Sequence, residues 1–167
     1  TDTLRAAFRS VKERLGLSRE ASFHYTSAKR SARRIFFETI SQAAVEFEAF
    51  GLIVDKTKLS AEYQRLSQPA LYGLFASRLF APVTQPLDQA RLWIDGDASH
   101  QWIVSRVRVT LSEAGRYLKQ VGLRRASNTE GLQLADMIAG ATVDYIEGKR
   151  TDFPLIRHRV LLRRFEG

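Results

Sequence analysis

The chain contains no cysteine and only three histidines in 167 residues. Without thiols it can form no disulfide, no thiolate zinc centre and no cysteine nucleophile, so any metal must be held by oxygen or imidazole. No apolar run approaches the ~20 residues needed to span a bilayer, and nothing at the start resembles a secretory signal. The expectation is a soluble, cytoplasmic protein with no membrane partner. Gly-rich phosphate loops, H-E-x-x-H and G-x-S-x-G are also missing, which removes the common nucleotide-binding and hydrolase classes. Repeats and low-complexity tracts are absent too.

What is present suits one folded domain over residues 1–167, with 44% hydrophobic residues and no linker strong enough to divide it. Lysine and arginine number 26 against 18 aspartates and glutamates, a net charge of +8. Such an excess favours polyanionic partners, nucleic acid first, because basic side chains neutralise phosphates and release counterions. Lys29, Arg30, Arg33 and Arg34 form one basic cluster, and Arg157, Arg159, Arg163 and Arg164 another. Either could track a phosphate backbone; a solvated helix face gives the same string.

Periodicity predicts alternating helices and strands. Asp2 or Thr3 can cap a helix whose Leu4, Phe8, Val11 and Leu15 form one stripe, stopped by Gly16. "ASFHYTSAKR" reads as a short extended piece and a loop. A helix over 32–44 turns Ile35, Phe36, Thr39, Ile40 and Ala43 inward. The run Phe50–Val54 predicts a strand buried on both faces, ending at Asp55. Pro69 opens a helix through Arg78, "APVTQP" breaks the chain, and "ARLWID" is a second buried strand ending at Asp95. "IVSRVRVTL" is β-branched and alternates, yet Ile103, Val107, Leu111, Ala114 and Leu118 keep helical spacing over a longer window. Val121–Arg125 is a weak strand, and the basic tail "FPLIRHRVLLRRFEG" has no clear period. This order predicts an α/β sheet with parallel pairs, flanked by helices.

The segment "GLQLADMIAGA" poses the central question. Ser127 and Glu130 have capping-box spacing, and Gly148 followed by Lys149 and Arg150 suits a helix end, which brackets a helix over 128–147. Asp136 then lies beside Leu132, Ala139, Gly140 and Val143, among small and apolar residues. A carboxylate buried there needs a partner. Asp144 and Glu147 sit roughly 12 and 16 Å further along the axis, too far to share one ion with it. If the strands ending at Asp55 and Asp95 are neighbours and this helix crosses their ends, the three aspartates can meet around magnesium or manganese, which prefer oxygen ligands and activate water for phosphodiester cleavage. Each also has a bland reading: Asp95 and Asp55 as turn formers or caps, Asp136 in a structural ion pair. His24, in the aromatic setting "FHYTS", is a candidate ligand or proton carrier, or a packed structural histidine.

"FHYTSAKR", the strand endings "IVDK" and "WIDGD", and above all "NTEGLQLADMIAGA" together resemble the bacterial and phage family called domain of unknown function 3800. The resemblance covers nearly the whole chain in the expected order. It implies an RNase H-like fold, a mixed sheet flanked by helices, in which acidic residues gather around Mg2+ or Mn2+. Carried over by position, Asp136 matches the late-helix aspartate, Asp55 and Asp95 match strand-end acids, and His24 matches a histidine after the first helix. Family members usually begin with a strand bearing Asp-Glu-Ser, which nothing in Thr1–Gly16 supplies. The expectation is either a chain without its first strands or a degenerate member. Two functions follow: a metal-dependent nuclease, or a non-catalytic module binding nucleic acid or protein in a phage or mobile-element system.

Overall fold

The structure, a computed structural model, describes residues 2–83 and 86–166. Among these the order is α1 (Asp2–Arg14), α2 (Arg30–Gln42), β1 (Ala49–Ile53), α3 (Ala61–Gln64), α4 (Gln68–Phe80), β2 (Arg91–Asp95), α5 (Gln101–Glu113), β3 (Gln120–Arg124), α6 (Glu130–Ile146) and β4 (Val160–Arg164), joined partly by 3-10 turns. The protein is therefore mixed α/β. The predicted break at "APVTQP" falls partly on residues 84 and 85, outside the described residues. No described helix is long and apolar enough to cross a membrane.

Two compact units form, each discontinuous in sequence: Thr1–Ala49 with Arg125–Leu161, and Phe50–Arg124 with Leu162–Gly167. Two of the crossings fall within β1 and β4, where no Pro- or Gly-rich linker could mark them.

In the first unit, α1 and α2 bury Ala7, Phe8 and Val11 against Phe36, Phe37 and Ile40. Phe8 and Phe23 both meet Phe36, at ring separations of 5.3 Å, and Phe37 extends the cluster. Phe8–Phe36 and Phe36–Phe37 meet edge-on, and such pairs add about 0.5–1.5 kcal/mol each beyond their buried area. The unit's third long helix, α6, buries Gln133, Leu134, Met137, Ile138, Ala141 and Thr142. It begins two residues later than the capping-box spacing predicts. Residues 126–128 form a 3-10 turn, Thr129 takes the N-cap position without a side-chain cap bond, and Ser127 lies outside the helix. At the other end Gly148 adopts φ +70°, and the Lys149 amide closes on the Asp144 carbonyl at 2.8 Å. That left-handed cap ends the helix as predicted.

In the second unit β2 and β3 run parallel, with Leu92 beside Val121 and Ile94 beside Leu123. Helix α5 covers them with Ile103, Val107 and Leu111, so the longer helical period prevailed over local β-branching. Helix α4 packs on α5; its N-terminus is set by Ser67, whose hydroxyl accepts the Ala70 amide at 3.4 Å, and by Pro69 in the first turn. The other pairing joins β1 to β4. The strands leading to Asp55 and Asp95 are thus not ladder neighbours, and the condition on which the three aspartates would meet is not satisfied by strand pairing, because each strand takes its partner from later in the chain. Every residue of β1 is half-buried rather than enclosed on both faces.

Candidate functional site around His24 and Asp136

Asp136 is not buried: 45% of its side chain is exposed, because α6 turns the stripe of Gln133, Met137 and Ala141 inward and leaves Asp136, Ala139 and Val143 outward. The expectation of an enclosed carboxylate is corrected by this rotation of the helix. Small residues surround Asp136 along the sequence, but on this helix small does not mean covered.

The carboxylate nevertheless has a defined partner. Its Oδ2 accepts the Tyr25 backbone N–H at 2.9 Å. One helical turn earlier the buried Gln133 accepts the Phe23 N–H on Oε1 at 2.8 Å and donates from Nε2 to the Ser127 carbonyl at 3.2 Å. The segment Phe23–Tyr25 belongs to no strand among the described residues, and two helix side chains supply the acceptors for its amides. His24 lies between the two clamped amides, with Nδ1 3.8 Å from Asp136 Oδ2 and 42% of its side chain exposed.

Tyr25 also reaches Asp144. Its hydroxyl donates to Asp144 Oδ2 at 2.7 Å, so one residue engages both carboxylates that lie two turns apart on α6. Arg33 stacks over the Tyr25 ring at 4.3 Å and donates to the same Asp144 oxygen at 3.3 Å. Lys149 approaches Asp144 Oδ1 at 3.5 Å and pairs with Glu147. Burial pushes the Tyr25 hydroxyl above the ordinary tyrosine range, with the Asp144 hydrogen bond acting in the same direction. The Tyr25 hydroxyl, more than the Lys149 and Arg33 cations, holds the Asp144 carboxyl below the usual aspartate range. The Tyr25 ring lies so close to α6 that a Cβ on Gly140 would collide with its carbons.

The other candidates are placed as follows. Asp55 belongs to the second unit, where it accepts the Thr57 amide at 3.0 Å and hydroxyl at 2.7 Å, the capping role of its bland reading. Those Thr57 bonds, with Lys58 3.7 Å away, lower its carboxyl below the usual range. Asp95 ends β2 beside Arg124 of β3, also in the second unit. Within the first unit the sequence candidates brought together are His24 and Asp136. Arg33 is committed to Tyr25 and Asp144, and Arg34 to Glu38 at 2.8 Å. Lys29 and Arg30 are exposed at the start of α2. Among the described residues no group of three or more His, Asp or Glu side chains is arranged to hold a metal ion.

Sequence reasoning did not single out Tyr25, Gln133, Asp144 or Gly140 as parts of this site. Gly140 was the available signal: a glycine inside a helix costs about 1 kcal/mol relative to alanine, which points to close packing. Comparison of the chain with protein-family models, curated proteins and solved structures returned no match.

Proposed function

We propose that the chain is an RNase H-like domain that cleaves nucleic-acid phosphodiester bonds with a divalent metal ion, with His24 and Asp136 at its reactive centre. The observation that carries this reading is the exposed His24–Asp136 pair, 3.8 Å apart and held in place through the Tyr25 amide. The net charge of +8 and the resemblance of "NTEGLQLADMIAGA" to domain of unknown function 3800 support it.

The donor set fits a partial metal site. Asp136 engages the Tyr25 amide through Oδ2, leaving Oδ1 without a protein donor among the described residues. A carboxylate oxygen and an imidazole nitrogen suit manganese, and magnesium accepts one or two carboxylates while water and phosphate complete its shell. Such an ion, when bound, would polarise the phosphate and favour attack by water. The chain's own part is to fix the carboxylate through the Tyr25 amide and to hold the His24 imidazole beside it, as a second donor to the ion or, where the ion takes Asp136 alone, as a proton carrier.

The test is incubation with single- and double-stranded DNA and RNA in magnesium or manganese, comparing the wild type with Asp136→Asn and His24→Ala. The expected result is cleavage by the wild type that both folded variants lose. A manganese-dependent rise in melting temperature, absent in Asp136→Asn, reads the metal site without activity. If no substrate is cut and all three proteins are folded, the alternative stands: a non-catalytic module binding nucleic acid or protein.

A further inference from the structure

An open cleft of about 580 Å³ lies in the first unit, lined by Arg30, Ser31 and Arg34 of α2 and by Arg150, Asp152 and Leu155, among others. Its charges are not equivalent. Arg34 is held by Glu38 at 2.8 Å, and Glu38 lies within 3.9 Å of Arg14 as well. Asp152 also faces Arg34 electrostatically. Glu38 is therefore paired with Arg34 and Arg14, while Arg30 and Arg150 have no ion-pair partner among the described residues.

We infer that this cleft is a phosphate-binding subsite, in which Arg30 and Arg150 grip a backbone phosphate of a single nucleic-acid strand and Ser31 offers a hydroxyl donor. Guanidinium groups present paired N–H donors that match phosphate oxygens, and the two, from α2 and from the segment after α6, line the same cleft. Concavity matters here. Two free arginines on a convex face would be ordinary solvated charge, whereas walls hold the cations together and focus their field. Arg34, already neutralised, shapes the wall rather than binding. The inference deepens the nucleic-acid reading above and rests on it for the ligand's identity.

The test uses fluorescence anisotropy with a labelled single-stranded oligothymidylate of about 12 nucleotides, in EDTA so that cleavage is silent. Arg30→Ala/Arg150→Ala is compared with Arg5→Ala/Arg9→Ala, which removes the same charge from exposed positions of α1. The cleft variant is expected to bind roughly tenfold more weakly and to lose about 1.4 from the slope of log affinity against log salt, while the α1 variant changes little. Equal losses in the two variants overturn the subsite and leave only a diffuse basic surface; unchanged binding in the cleft variant overturns it outright. If thymidine monophosphate competes as strongly as the oligonucleotide, the strand is the wrong ligand and the site takes a free phosphomonoester. Retained melting temperatures show that each variant is folded. Should Asp136→Asn cleave like the wild type while the cleft variant loses binding, the reactive-centre reading fails and the subsite stands.

Discussion

The ring of Tyr25 rests on Gly140, so close that a methyl group at residue 140 would collide with ring carbons. That approach lets Tyr25 use its amide and its hydroxyl at once, one on Asp136 and the other on Asp144. Filling the space is expected to do more than strain the core, because it displaces the segment that carries His24.

Gly140→Ala should destabilise the protein by about 1–3 kcal/mol, the usual cost of overpacking, despite alanine's better helix propensity. Gly131 is on the same helix with open space around it, so Gly131→Ala is expected to be neutral or slightly stabilising. Urea titration of both variants checks the contrast; similar stabilities would show that the Tyr25 ring moves aside at little cost.

Gln133→Leu keeps the volume and removes both polar groups from a nearly closed site, taking the acceptor from the Phe23 amide and a donor from the Ser127 carbonyl. The expected loss is about 1–3 kcal/mol. Asp136→Asn retains a carbonyl oxygen for the Tyr25 amide and should cost less than about 1 kcal/mol, given its exposure. Equilibrium unfolding ranks the two, and the reverse order would overturn the view that the Gln133 clasp is the stronger.

Tyr25 ties stability to alkaline pH. Its hydroxyl is raised above 10.0 in the folded protein, so its contribution is intact below that value and is lost as pH climbs through the folded pKa. Tyr25→Phe should flatten the alkaline decline and raise the Asp144 carboxyl toward its ordinary value, since the tyrosine hydroxyl is the main cause of its depression. Carbon-detected NMR titration of Asp144 reads this directly; an unmoved midpoint would assign the depression to Lys149 and Arg33 instead.

Asp97 gives an acid-side counterpart. The Ser99 hydroxyl and amide, helped by His100, hold its carboxyl down to about 2. Any stability it contributes is therefore present above 3.8 and lost as pH falls through about 2. Ser99→Ala removes the largest of these causes, and the Asp97 midpoint should move upward in an NMR titration; no movement would contradict the hydrogen-bond assignment.

The elements readable in the sequence were those whose reasons are local. Gly148 ends α6 and Pro69 opens α4 through backbone rules that need no distant partner. Helix α5 was legible because its apolar period persisted beyond the ambiguous stretch. β4 had no period to read: it alternates poorly and exists by pairing with β1 more than a hundred residues earlier. The burial of Asp136 was misjudged for a related reason. With Ala135, Ala139 and Gly140 around it, no contrast in side-chain character shows which way that side of α6 faces. The exchange of roles between Gln133 and Asp136 is visible only once Phe23 and Tyr25 have come to lie against the helix.

That clasp joins amides near the beginning of the chain to acceptors 110 and 111 residues later. At about 5–20 residues per second a ribosome needs roughly 5 to 20 seconds to make the intervening stretch. Throughout that interval the Phe23 and Tyr25 amides exist without the α6 acceptors they finally take. The segment that carries His24 is therefore among the last parts of this unit to be fastened, although it is among the first to be made.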